Sequence, residues 1–189
     1  MRYLVFIRHS QTQPDQAIPS REWVLTEEGR RRCKPLAVQL ARYNLDRIVT
    51  STEPKAIETG KLVAQRLGIP CQVEKNLHEH ERGTAAYFGT QAEFIEAIKD
   101  LLTNPTKLVF GEETGLEARE RFVGAVESLM GEYPQENIAI VTHGTVLSLF
   151  ASKLTGQAAY PFWQALGMPA ILDFKYPTME LLAQENKIE

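Results

Sequence analysis

The chain has 189 residues, 43% of them hydrophobic, enough for one core of ordinary size, and its net charge of −3 supplies no basic field, so nucleic acid is not an expected partner. Its two cysteines, Cys33 and Cys71, have neither metal nor redox spacing, so a reducing compartment is the default and no disulfide framework is expected. No stretch of about 18 apolar residues is present and the first apolar run is too short for a signal peptide, so no membrane partner and a cytoplasmic location are expected.

Leu4-Val5-Phe6-Ile7 reads as a strand buried on both faces, delivering Arg8 and His9 to its carboxyl end. In open α/β sheets that end is where ligands bind. A polar loop marked by Pro14 and Pro19 follows. Thr26 is a suitable N-cap, and Glu27 and Glu28 suit a first turn, predicting a helix to about Tyr43 that Pro35 either kinks or splits. Residues 46–50 form a second strand, ending near Lys55, and a helix over 54–67 is closed by Gly68 and Pro70. Residues 69–73 read as a third strand. Residues 76–89 show no period, whereas Phe94, Ile98, Leu101 and Leu102 repeat at helical spacing until Pro105. A helix over 113–130, a strand over 138–142, a helix over 144–154 and a strand over 170–176 follow, and the tail from Glu180 is expected to be loosely held. Strands alternating with helices imply an α/β fold, a mostly parallel sheet covered on both faces, in a single domain spanning 1–189.

The strand ending at Thr142-His143-Gly144 repeats the pattern of the first, and packing alone explains two such histidine-bearing ends poorly. Arg8 at the end of an apolar run needs an anionic partner, and its planar fork matches phosphate oxygens as well as it would match a core carboxylate. His9 can attack phosphorus as the neutral imidazole. His143 precedes a helix start, where backbone N–H groups favour an anion, and Gly144 lets the backbone come close. With Lys55, these strand ends make one site for a phosphoryl group. A metal reading, through His9, His143 and a glutamate or through His78 and His80 on one face of a strand, is disfavoured because Arg8 would set a cation beside a cation; neither metal nor cofactor is expected.

Arg8-His9-Ser10-Gln11-Thr12 resembles the Arg-His-Gly-Glu/Gln-Thr signature of the histidine phosphatase superfamily, the phosphoglycerate-mutase-like proteins. Leu25 to Arg30 is similar to that family's Leu-Thr-x-x-Gly block, Ser51 to Gly60 to its Ser-Pro-x-x-Arg-Ala-x-x-Thr-Ala block, and Leu77-His78-Glu79 to its Leu-x-Glu acid motif. Gly111-Glu112-Glu113 resembles its Gly-Glu-Ser region, and Val141 to Gly144 its second-histidine motif. The resemblance implies a three-layer α/β/α fold with a small insertion near residues 76–110, and phosphoryl transfer through a phosphohistidine. It makes His9 the nucleophile, sets Arg8, Lys55 and His143 around the phosphoryl oxygens, and gives Glu79 the task of protonating the leaving oxygen and then activating water, a role that needs a raised pKa, supplied by burial beside a bound anion. Glu81 is the second candidate acid. The chain departs from the pattern at Lys55, where the family carries arginine, at Asp15, near a phosphate-contacting asparagine, and at Ser10, in place of glycine.

The expected activity is hydrolysis of a small phosphomonoester. Ser10 and Gly144 would line the phosphate site, and Arg21, His80 and Arg82, with Trp23, Tyr87 and Phe88, would select the rest of the substrate. The alternatives are a catalytically weak phosphate-binding relative, motivated by Lys55 and Asp15, and a phosphoglycerate mutase; protein phosphohistidine dephosphorylation is disfavoured because the resemblance includes the acid motif. The sequence does not fix the oligomeric state, and a homodimer is compatible with it.

Overall fold

The computed structural model describes residues 2–83 and 88–189. The first strand, β1 (Arg2–Arg8), is fully buried over Leu4 to Ile7, and its alternation divides the core in two. Leu4 and Phe6 join one apolar cluster, while Val5 and Ile7 join another on the opposite face. The second cluster lies under α1 (Glu27–Leu40) and α2 (Pro54–Leu67), through Leu36, Leu40 and Val63. The first lies under α4 (Gly115–Glu132) and α5 (Gly144–Thr155), through Phe122, Leu129, Val146 and Phe150. Helices on both faces of one sheet are the three layers expected.

The sheet has six strands: β1, β2 (Arg47–Thr50), β3 (Cys71–Val73), β4 (Ile138–Thr142), β5 (Ala170–Tyr176) and β6 (Glu180–Glu185), in the order β3-β2-β4-β1-β5-β6. The pairings β3–β2, β2–β4 and β4–β1 are parallel, whereas β5 and β6 join antiparallel, so the sheet is mixed and its parallel half carries the site. The tail expected to be loose is instead edge strand β6, and Ile188 beyond it is buried in the cluster under α1 and α2.

The register is what builds the site. Arg8 pairs with Thr142, so His9 and His143 emerge side by side, and the His9 amide donates to the Thr142 carbonyl at 2.9 Å. Thr50 pairs with Val141, which brings Ser51 to the same edge.

Thr26 caps α1 as expected, accepting from the Gly29 amide at 2.8 Å. Pro35 neither splits α1 nor ends it; the helix runs to Leu40 and tightens into a 3₁₀ turn over Ala41–Tyr43. The insertion contributes α3 (Gln91–Thr103), whose start is fixed by a capping box between Thr90 and Glu93. Its apolar face, Ile98, Leu101 and Leu102, packs on Ala118, Leu149 and Ala159 in a separate small cluster. A short helix, α6 (Ala159–Ala165), was not expected from the sequence. Among the described residues no helix is long and apolar enough to cross a membrane.

Candidate active site

Three strand ends and one loop close around a cavity of about 940 Å³, within the range usual for small-molecule sites. Its floor holds Arg8, His9, Lys55, Glu79, Arg82, His143 and Gly144, so seven residues named from sequence line one space.

His9 is buried, and its Nδ1 lies 2.8 Å from the carbonyl of Ser10. A carbonyl only accepts, so Nδ1 carries the proton and Nε2 keeps its lone pair. Burial is the main force holding the imidazole well below the ordinary histidine value, helped by His143, Lys55 and Arg8 and opposed by the bond to Ser10. The ring is therefore neutral near pH 7 and presents a nucleophilic nitrogen. The His143 ring stands 5.2 Å away, centroid to centroid. It is also kept neutral, chiefly by burial and then by Lys55.

Several buried nitrogens on this floor have no hydrogen-bond partner among the described residues. Arg8 spends Nη1 on the Leu166 carbonyl, while its Nε is buried and unpaired. His143 sets Nε2 against the Ser51 hydroxyl at 2.6 Å, leaving Nδ1 buried and unpaired. Arg82 also has a buried, unpaired Nη1. Buried polar atoms are ordinarily satisfied, and three unpaired nitrogens in one cavity suit an anion with several oxygens. Burial lowers the Arg8 pKa, with Glu79 opposing and Arg82 adding to the shift.

Lys55 is buried at the second position of α2, its Nζ donating to the Ser20 carbonyl at 2.6 Å and pairing with Glu53 at 2.5 Å. Glu53 was not singled out in the sequence. Its only local signal is a carboxylate two residues before the expected lysine, in the turn after a strand.

Glu79 sits in the aperiodic loop, which the structure anchors by capturing its backbone. Arg121 of α4 donates to the carbonyls of Asn76, His78 and Glu79 at 2.9, 3.1 and 3.2 Å, and Glu113 accepts from the Glu81 amide at 2.8 Å. The carboxylate accepts from the amides of Thr145 (3.0 Å), Val146 (3.0 Å) and His80 (2.9 Å), two of them at the start of α5. Burial raises its pKa, but Arg82, His143 and these N–H groups outweigh burial and hold it far below the ordinary carboxylate value. The protein's own groups thus hold Glu79 firmly ionised, and burial by itself does not supply the raised pKa that an acid role needs.

Other expectations need correction. Ser10 is buried but turns its hydroxyl to the Gly29 carbonyl at 2.7 Å, so it clasps α1 and neither lines the cavity nor crowds it. His80 is buried with Nε2 on the Glu113 carbonyl at 2.7 Å, bracing the loop from behind rather than touching a substrate. Arg21 is exposed, on the rim beside Gly83 and outside the cavity lining. Asp15 is exposed, bonds the Ala17 amide at 2.9 Å and is likewise off the lining, so it does not confront an anion. Glu81 pairs with His78 at 3.0 Å in a loop rather than a strand, so the histidines at 78 and 80 do not share a ligand face. Trp23 and Phe88 do line the cavity, and Tyr87 lies outside the described residues. Trp163 and Met168, not anticipated, complete its outer wall with Phe94 and Ile95.

A fold of this kind, with two strand-end histidines and an arginine converging on an anion site, defines a histidine-dependent phosphoryl-transfer protein. The chain belongs to the histidine phosphatase superfamily (branch 1), whose family model matches residues 4–172. It is 26% identical over 167 residues to "Probable phosphoglycerate mutase GpmB" of Cronobacter sakazakii, covering 85% of this chain and 78% of that protein. It is also 26% identical over 171 residues to "Putative phosphoserine phosphatase 2" of Hydrogenobacter thermophilus, covering 86% of this chain and 83% of that one. Among solved structures, mycobacterial glucosyl-3-phosphoglycerate phosphatase in complex with VO3 superposes with a TM-score of 0.80 at 18% identity, covering 99% and 100% of the two chains. Phosphoserine phosphatase of Entamoeba histolytica in complex with 3-phosphoglyceric acid gives a TM-score of 0.78 at 19% identity, covering 99% and 98%. These two similarities speak for the fold.

Proposed function

We propose that the protein hydrolyses small phosphomonoesters through a phosphohistidine at His9. The observation that carries this reading is the state of His9: neutral, its Nδ1–H spent on the Ser10 carbonyl, its Nε2 free beside unpaired donors of Arg8, Arg82 and His143. Nε2 attacks phosphorus, the bond from phosphorus to the ester oxygen breaks, and that oxygen leaves with a proton. Water then attacks the phosphoryl group, the P–N bond breaks, and inorganic phosphate departs. Arg8, Arg82, Lys55 and His143 meet the charge spread over the phosphoryl oxygens.

Glu79 is the proton carrier of this scheme, and the bound substrate is what makes it one. A phosphoryl dianion beside the carboxylate opposes Arg82 and His143 and favours the protonated form, so the acid is generated by binding.

The outer wall refines the substrate class. Trp23, Phe88, Phe94, Ile95, Trp163 and Met168 give it a broad apolar side, set among uncharged polar residues such as Gln11, Gln16 and Gln91, and among the described residues lining the cavity the only cations are the floor's Arg8, Lys55 and Arg82. Such a wall favours a phosphomonoester with a broad, largely apolar body over a compact one bearing its own carboxylate.

The test is hydrolysis of p-nitrophenyl phosphate and phosphoserine by the wild type and by His9→Ala, with a denaturing alkaline quench to trap labelled phosphoenzyme. The reading expects an acid-labile, histidine-linked phosphate in the wild type, none in the variant, and a higher kcat/KM for the aryl ester. Equal turnover by both proteins would remove His9 from the reaction.

A further inference from the structure

Behind the floor of the cavity lies a buried carboxylate that the reaction scheme above leaves unused. Glu53 occupies the turn between β2 and α2, is 7% exposed, and does not line the cavity. One of its oxygens meets the Lys55 ammonium at 2.5 Å. The other accepts the Glu79 amide at 2.9 Å and stands 3.4 Å from Nε2 of His143. One side chain therefore touches three separate segments, each of which supplies a residue to the cavity wall. A carboxylate sealed this deep, so close to where a phosphoryl group would bind, is electrostatically costly unless its contacts repay the cost.

We propose that Glu53 is a positioning residue for phosphoryl transfer, converting the Lys55 ammonium from a loosely aimed charge into a fixed donor; this rests on the phosphatase reading. A lysine ammonium has three N–H groups on a flexible stem and lacks the built-in fork of arginine. Here the Ser20 carbonyl takes one N–H and Glu53 takes another, which leaves a single N–H to be aimed at a phosphoryl oxygen. The same carboxylate stands on the Nε2 side of His143, opposite the Nδ1 that is left unpaired. The glutamate and the lysine thus work as a unit: a cation less directional than arginine is held by an anion that supplies the missing direction.

The proposal separates two effects that a simple charge would not. Glu53→Gln removes a negative charge near the anion site, so ground-state affinity for inorganic phosphate stays the same or tightens. Loss of aim is felt in the transition state, so kcat falls by about tenfold or more. Adding Lys55→Arg to Glu53→Gln restores much of the loss, because a guanidinium needs no such anchor. The experiment measures kcat and KM for p-nitrophenyl phosphate, calorimetric affinity for inorganic phosphate and Tm for these proteins. Glu53→Asp, which keeps the charge but shortens the reach, serves if Glu53→Gln does not fold, and is expected to lower kcat without tightening phosphate. Unchanged kcat, a parallel loss of phosphate affinity and Tm, or no recovery with arginine overturns the proposal. Should the wild type not turn over at all, the phosphatase reading falls by itself, and Glu53 is then judged on phosphate affinity. Non-additive effects of Glu53→Gln and Lys55→Met support its positioning role, and additive ones refute it.

Discussion

Gly144→Ala isolates the contribution of Arg8 without touching it. A Cβ at position 144 would lie 3.0 Å from Cζ, 3.1 Å from Nε and 3.2 Å from Nη2 of Arg8. Carbon atoms pack comfortably at about 3.5–4.0 Å, so the guanidinium must retreat by about 0.5–1 Å. It cannot slide freely, because Nη1 is tied to the Leu166 carbonyl; it pivots, and the unpaired Nε turns away from its position. A misplacement of about 1 Å in a site of this type costs up to about 100-fold, so kcat/KM is expected to fall by about 10- to 100-fold, or about 1.4–2.8 kcal/mol. Stability should move little, because alanine is the better helix former at the start of α5 by up to about 1 kcal/mol, and that gain offsets part of the contact strain. The assay pairs steady-state hydrolysis of p-nitrophenyl phosphate with a thermal melt. Full activity at an unchanged Tm would refute the placement of Arg8 against the substrate, and equal losses in both would reduce the effect to packing.

Acid should destabilise the protein in two stages. His9 and His143 have folded pKa values well below the ordinary 6.5, so the unfolded chain takes up more protons below that pH, and stability is lost as pH falls from about 7. Glu79, depressed from 4.5, adds a second loss below that value; denaturant unfolding across pH 4–8 should show the first stage weakened in His9→Asn. Glu79→Gln puts an amide N–H₂ among three backbone N–H donors, so it should cost about 1–3 kcal/mol of stability as well as most of kcat, read by chemical denaturation and turnover. Arg82→Met should weaken inorganic phosphate binding and move the Glu79 pKa upward, seen as a shift of the alkaline limb of the pH–rate profile toward higher pH. Gly111→Ala, at φ +80° with a Cβ 2.1 Å from the Glu81 carbonyl oxygen, should destabilise by about 2–4 kcal/mol and lower activity by displacing the acid loop, measured by Tm and kcat.

What could be read in advance was local. Four apolar residues before Arg8-His9 and four before Thr142-His143 state a buried strand and its end in a few letters, and pairing β1 with β4 then brings the histidines together. Thr26, Pro54 and Gly68 announce helix ends through capping and φ restrictions that need no tertiary partner. The misreadings came where long-range contacts decide. Glu180 to Glu185 alternates weakly and is half-exposed, so only its pairing with β5 makes it a strand. His80 and Ser10 look like ligands by residue type, yet carbonyls at Glu113 and Gly29 had already claimed their polar atoms. The ionisation of Glu79 owes most to Arg82, three residues on, but also to His143 and to the Thr145 amide at the start of α5, 66 residues away, which nothing near Glu79 foretells.

The edge of the sheet has a bearing on its centre. The Asn186 carbonyl, just past β6, accepts the Gly167 amide, and the neighbouring Leu166 carbonyl is the one that grips Arg8. Gly167 can come this close because it has no side chain: a Cβ there would sit 2.5 Å from the Asn186 oxygen. Peeling β6 from β5 would therefore loosen the footing of a guanidinium two strands inward. Lesions far from the cavity, such as a proline at residue 184, would then weaken activity while every residue on its floor stayed intact.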